Sequence, residues 1–317
     1  MTSVRHRTRS RVLRRLPAIG LLAVALGAAW PAFAGTPINQ TRPLDPTGSV
    51  EIDNVKGEIR VRVWDRPEVK IEGELGEGVE KLEIDGDRQQ LSIKVRYPSR
   101  GSGMGLLAGG DKSEPTDLVV TIPLQASLDI DAVSANVDVN GVASRELKID
   151  SVSGDVTVAG APRSAEIESV SGDLKLTLNT AKVSAQTVSG DMELRGRLSG
   201  EAHVETVSGS VDMASRESRL NKISGNSVSG DLRIASALAD GGEISLETVS
   251  GDVRLSLPRS LSATVRGQSF SGDLSAPDVQ VQRPKHGPGS SFEHRYGSGS
   301  GRIKIETFSG DATLELN

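Results

Sequence analysis

From residue 126 to the end of the chain, apolar and polar residues alternate in short runs, and the runs come in pairs around a glycine. Around Gly172 the apolar positions are Ile167, Val170, Leu174 and Leu176. Around Gly251 they are Ile244, Leu246, Val249, Val253 and Leu255. Around Gly310 they are Ile303, Ile305, Phe308, Ala312, Leu314 and Leu316. Alternation with period two predicts strand. With the glycine as position 0, the phase reads as flipping once, between positions −5 and −2. A slip of one residue turns every side chain to the other face. Each unit is therefore expected to hold two short strands, with a corner or bulge at the Ser/Thr of position −3 (Ser169, Thr187, Thr248, Thr307). In this register the valine at −2 points inward. Phe270 and Phe308 take the same inward place and are expected in the core.

The unit repeats. Ser-Gly-Asp centres on Gly154, Gly172, Gly190, Gly230, Gly251, Gly272 and Gly310, with Gly209-Ser210 as a variant; the steps are 18, 18, 19, 21, 21, 21 and 38 residues. The last step reads as two steps of 19 with one decayed motif. Weaker copies lie at Ala135 and Gly57, giving ten candidate rungs. Fixed-period self-similarity of this length is the mark of a solenoid or repeat array. The predicted fold is all-β: a β-solenoid, or β-helix-like stack, of 18–21-residue rungs behind a more irregular β-rich N-terminal portion. Ten rungs would make it roughly 45–50 Å long. The rival is a meander of β-hairpins with Ser-Gly or Gly-Asp as two-residue turns.

Four regions are expected. Residues 1–34 read as a cleavable signal peptide: six arginines, an apolar run from Ala18 to Ala29, and Ala32-Phe33-Ala34 as a cleavage site. Residues 35–48, with three prolines, read as an extended arm. Residues 49–125 form the N-terminal β-rich portion, with strand pairs around Asp65-Arg66-Pro67-Glu68 and Asp85-Gly86-Asp87. Residues 126–317 form the repeat domain. A long exposed loop interrupts it at 280–301, and the last residues, from Arg302, close the stack as its final rung.

Composition narrows the function. Cysteine is absent, which excludes disulfides, thiolate metal sites and an acylated-cysteine anchor. The chain has 37 basic and 42 acidic residues; without the six arginines of the leader it has 31 against 42, net −11. That balance argues against nucleic acid and anionic membranes as partners, and no membrane span is expected after leader cleavage. The Gly-Ser-Gly-Met-Gly stretch within residues 100–115 lacks the strand-loop-helix setting and the Gly-Lys-Ser/Thr ending of a phosphate loop.

One column carries candidate chemistry: Asp155, Asp173, Asp191, Asp231, Asp252, Asp273 and Asp311. At a rung spacing of about 4.8 Å neighbouring carboxylates repel by roughly 1 kcal/mol in water and about 3–4 kcal/mol at an effective dielectric of 20. Either bound calcium or hydrogen bonds from Ser hydroxyls and backbone N–H groups at the glycine bend would relieve this. The glycine-rich calcium nonapeptide is absent. No catalytic, cofactor-binding or metal-ligating residue stands out: His203 lies alone on a strand, and His286 and His294 lie in the loop with Arg283 and Lys285. With Phe270 and Phe308 inward, no aromatic platform for glycans runs along the stack.

The repeated Thr/Ser-Val-Ser-Gly-Asp-Val/Leu motif resembles a bacterial β-strand-repeat family of unknown function that carries the provisional label adhesin. So do the proline-ended strand before Ala126-Ser127-Leu128-Asp129-Ile130 and the closing Ile305-Glu306-Thr307-Phe308-Ser309-Gly310-Asp311. That family looks related to the β-helical heads of auto-transporter adhesins. The resemblance covers most of residues 49–317 and implies a β-solenoid in an exported or envelope protein, with no catalytic residues to carry over. The chain departs from an auto-transporter in showing no evident barrel segment and no terminal aromatic after Leu316. The expected function is a non-enzymatic, adhesin-like or scaffold protein of the cell envelope, in the periplasm, on the cell surface or secreted. It would have no cofactor and would bind an envelope or extracellular protein or glycan. The alternatives are a periplasmic accessory or sensor protein in envelope maintenance, and a carbohydrate-active β-helix enzyme.

Overall fold

The computed structural model describes residues 35–98, 113–286 and 288–317. The expected signal peptide and most of the glycine-rich stretch after Arg100 lie outside the described residues. Twenty strands form one hydrogen-bonded sheet system, with no helix among the described residues. They are β1 (Thr36–Pro43), β2 (Ser49–Trp64), β3 (Glu68–Leu75), β4 (Lys81–Gly86), β5 (Gln90–Arg96), β6 (Thr116–Pro123), β7 (Ser127–Asn140), β8 (Glu146–Ser153), β9 (Val156–Gly160) and β10 (Ser164–Ser171). There follow β11 (Leu174–Ser189), β12 (Met192–Ser208), β13 (Val211–Ser229), β14 (Leu232–Ser250), β15 (Val253–Leu257), β16 (Ala263–Ser271), β17 (Leu274–Ser275), β18 (Ser290–Tyr296), β19 (Gly301–Ser309) and β20 (Ala312–Leu316).

The repeats pair in parallel, as a solenoid requires and a hairpin meander forbids. Ile149 lies beside Ile167, Ile167 beside Ala185, Ala185 beside Val204, and so on along the stack. Each rung has a leading arm before its glycine and a trailing arm after it. Positions −7 and −5 of the leading arm (Ala165, Ile167) and +2 and +4 of the trailing arm (Leu174, Leu176) are fully buried. The arms meet face to face: a methyl at Gly225 would touch Ile234 of the opposite arm at 3.3 Å and Val204 of the next rung at 3.6 Å. Each buried Leu, Ile or Val contributes about 1.5–3 kcal/mol by leaving water, and the core runs unbroken through the stack.

The corner lies at a different place from the expected one. Position −3 is not the bend. Ser169, Thr187, Thr206, Ser227, Thr248 and Thr307 are 1–5% exposed, inward and in phase with −5 and −7. The chain turns across −2 to +1, at Val-Ser-Gly-Asp, and the valine faces out. The reason is the crowding of glycines. A methyl on Gly190, whose φ is 146°, would lie 2.3 Å from the Gly172 carbonyl oxygen. The same approach recurs at every stacked glycine from Gly154 onward, at 1.9–2.3 Å. The −3 side chain fills what room remains inside: Ser151 Oγ stands 3.5 Å from the Gly154 carbonyl oxygen. The backbone ladder continues through the bend, with Gly172 N–H donating to Ser189 O at 3.2 Å and Leu174 N–H to Asp191 O at 2.9 Å.

Variable step length is absorbed at the far corner. Register shifts fall between Thr180 and Lys182, Gly196 and Glu201, and Ala214 and Arg219, never at Ser-Gly-Asp.

Both ends depart from simple stacking. The segment from Arg302 is not the final rung. β19 and β20 insert between the rungs of Gly251 and Gly272, pairing in parallel with β14 and β15 on one side and β16 and β17 on the other. The 38-residue step is therefore a detour, not a decayed rung. Residues 280–301, expected as exposed loop, contain β18, which pairs antiparallel with β16. Phe292 of β18 packs over Gly267, where a methyl would meet its ring at 2.3 Å. At the other end β2 stacks in parallel on β7, and β5 and β6 stack on β2. Residues 35–48 hold β1, antiparallel to β3, while β3 and β4 lie antiparallel to β6 and β5. Antiparallel strands thus cover the open faces of the terminal rungs.

Replacing Gly190 with alanine is expected to lower stability by about 3 kcal/mol, since a side chain there has neither space nor a permitted φ. A urea melt followed by circular dichroism checks this; an unchanged midpoint contradicts the corner geometry.

Candidate functional site

Turning −2 outward creates a surface that the hydrophobic pattern hid. Val133, Val152, Val170, Val188, Val207, Val228, Val249, Phe308 and Phe270 form one column in stacking order, each 42–56% exposed. At about 4.8 Å per rung it runs for roughly 38 Å. A contiguous apolar patch of this kind is uncommon on a monomer and marks an interaction site. Phe270 and Phe308, expected in the core, are its widest members. Their rings stack on each other, centroids 4.7 Å apart and 6° from parallel.

Polar columns border the stripe. At −4, on the same face, the order is Asp53, Asp131, Asp150, Glu168, Gln186, Glu205, Asn226, Glu247, Glu306 and Gln268. Across the corner, at +1, runs the aspartate column. The stripe and its −4 neighbours line two troughs. One, of about 580 Å³, runs from Asp131 and Val133 to Glu205 and Val207. The other, of about 1020 Å³, runs from Val228 to Phe270 and Phe308 and is walled by Gln282, Arg283, Pro284, Ser290 and Ser291.

The aspartate column is organised by the backbone. Along the column, up to the last rung, each carboxylate accepts the N–H of the +1 residue one rung on: Asp173 N–H to Asp155 Oδ1 at 3.1 Å, Asp191 N–H to Asp173 at 2.9 Å, Ser210 N–H to Asp191 at 2.8 Å, Asp252 N–H to Asp231 at 3.0 Å, Asp311 N–H to Asp252 at 2.9 Å and Asp273 N–H to Asp311 at 2.8 Å. Asn136 accepts from Asp155 N–H in the same way at 3.1 Å, so the amide serves as well as the acid. This is the local hydrogen bonding that the stacked charges call for. Among the described residues no group of three or more His, Asp or Glu is placed to hold a metal ion.

The other candidates stay apart. His203 faces Glu205 at 3.4 Å. His294 packs against the Tyr296 ring at 4.5 Å. Lys285 and His286 are exposed, and Arg283 pairs with Asp273. Nothing joins them into a catalytic cluster. The stripe is the feature sequence reasoning missed; the parity of Ala165 and Ile167, carried on without a flip, puts Ser169 in and Val170 out.

Charge is unevenly met along the troughs. Lys304 pairs with Glu247 at 3.0 Å and Glu306 at 2.8 Å. Towards the N-terminal end Lys148 pairs with Asp150, while Asp131, Glu168, Asp155 and Asp173 have no ion pair among the described residues. Burial, then the charges of Asp150 and Asp53, holds the Asp131 carboxyl above the usual aspartate range. Burial likewise raises Asp129, against the pull of Lys148.

The comparisons with known proteins follow the fold. Residues 47–315 match the family described as Toastrack DUF4097. No curated protein matches the chain. Among solved structures, a provisionally named adhesin of Bacteroides fragilis NCTC 9343 aligns at 13% identity over 90% of this chain and 99% of that one, with a TM-score of 0.45. A protein of Parabacteroides distasonis ATCC 8503, provisionally named lipid binding, aligns at 13% identity over 88% and 97%, with a TM-score of 0.47. A provisionally named adhesin of Parabacteroides merdae ATCC 43184 aligns at 12% identity over 89% and 97%, with a TM-score of 0.36. At such similarity these names carry no argument about this chain.

A carboxyl whose folded pKa is raised opposes folding above that pKa. The penalty fades as pH falls through it and is gone below the ordinary aspartate value of 3.8. Asp131→Asn is therefore expected to melt higher than the parent at pH 7, with the two melting temperatures converging as pH approaches 3.8. A variant that melts lower at pH 7 contradicts the crowding of acids at this end.

Proposed function

We propose that this chain, which belongs to the Toastrack DUF4097 family, is an exported, non-catalytic binding protein of the cell envelope. It works by offering the Val/Phe stripe and its acidic borders to a partner. The observation that carries this reading is the stripe itself: nine apolar side chains held about half exposed, in line, on a rigid stack. Keeping a large apolar side chain in water on rung after rung forgoes burial energy each time, and a binding surface gives that arrangement a purpose. The basic and apolar leader supports export. No helix among the described residues is long and apolar enough to cross a membrane. For a non-catalytic role the support is chemical: acids stand in register along the rungs, and none of His203, His286 and His294 lines either trough.

Protease treatment of intact cells, with fractionation alongside, tests the location. Cleavage on whole cells places the stripe at the surface; cleavage only after the outer barrier is opened places it in the periplasm. Either supports export. A chain that resists both and fractionates with the cytosol overturns the proposal.

A further inference from the structure

We infer that the N-terminal half of the stripe, from Val133 to Val207, is a docking groove for an extended polypeptide segment in which apolar and Lys/Arg side chains alternate. The inference rests on the reading of the stripe as a binding surface and names its partner's chemistry. The apolar line is one side chain wide; Asp131 and Glu168 of the leading arm line the trough with it, and Asp155 and Asp173 stand exposed across the corner, beyond the serine of position −1. Those four carry no ion pair among the described residues, and Asp131, which lines the trough, has its carboxyl held above the usual range by burial and then by the neighbouring acids Asp150 and Asp53. A cation arriving there gains what Lys304 supplies at the other end, where Glu247 and Glu306 are already met.

The shape selects an extended chain. Five rungs span about 19 Å, which roughly six residues cover when extended. The rung backbones are saturated by their own ladder, so strand addition has no free groups to use here. A second copy of this face would bring acid columns against acid columns, which like-charge repulsion disfavours. An anionic bilayer meets the same repulsion. Glycan stacking needs open ring faces, and this half of the stripe is valine, with the two phenylalanines at the far end stacked on each other. The 4.8 Å rung spacing does not match the 6.6–6.8 Å repeat of alternate residues in an extended chain. The groove therefore reads composition and alternation, with little demand on exact sequence.

The test is a fluorescence-anisotropy titration of the purified chain with two labelled octapeptides, one alternating Lys and Leu and one alternating Glu and Leu. The Lys peptide is expected to bind, at least tenfold tighter than the Glu peptide, and to weaken as salt rises. Val170→Ser with Val188→Ser should weaken it at least tenfold. So should Asp131→Asn, Glu168→Gln and Asp173→Asn combined, which keep the corner ladder because Asn136 already serves there. Circular dichroism confirms that each variant folds. Failure of the parent chain to bind the Lys peptide, equal binding of both peptides, or indifference to either set of substitutions overturns the inference. Sedimentation with phosphatidylcholine–phosphatidylglycerol vesicles, if it depends on Val170 and Val188, reassigns the groove to a membrane and also overturns it. Because the titration uses isolated protein, its failure leaves the export reading standing, and cytosolic fractionation leaves the groove's chemistry standing.

Discussion

Glycine lying on glycine at one corner of the rung is the contact on which the rest depends. The Cα of each stacked glycine from Gly154 onward sits where a side chain would collide with the carbonyl oxygen of the rung before it. This lets the chain reverse within four residues while the parallel ladder runs on unbroken. The tight bend also sets the parity of everything near it. Position −3 stays inside, as Ser or Thr on the rungs from Gly154 onward; −2 and +1 go outside. The exposed valines and the aspartate ladder follow from that single steric condition.

The remaining features accommodate that fixed corner. Insertions are tolerated at the opposite corner, where the register shifts fall, so the steps vary from 18 to 21 residues. Six of the inward hydroxyls, among them Ser169, Thr187 and Thr248, lack a hydrogen-bond partner. That costs free energy. The repeated charge is relieved by backbone N–H groups that the bend itself points at the carboxylates. The ends are closed by antiparallel strands, including the late insertion of β19 and β20 one rung short of the terminus.

Period-two alternation and the Ser-Gly-Asp spacing made the fold class, the parallel rungs and the ten stacked positions legible in the sequence. The corner was not legible from hydrophobicity alone. Val170 is more apolar than Ser169, so the pattern assigns the wrong one to the core; the deciding fact is the space beside Gly172, which composition does not encode. Phe270 and Phe308 were misplaced by the same rule, and with them the whole candidate site. The detour through β18 escaped because residues 280–301 are rich in glycine and proline, whereas seven of them pair antiparallel with β16, with Phe292 packed over Gly267.

The central claim is that the corner puts −2 outside and −3 inside. The natural chain has no cysteine, so one thiol can be placed at a time without background. Thr187→Cys and Val188→Cys differ by one residue and by face. Thiol-labelling rates in the native state decide between the two registers: the account predicts fast modification of the thiol at 188 and strong protection at 187. The reverse order would contradict it and return the valine stripe, and the groove built on it, to the core.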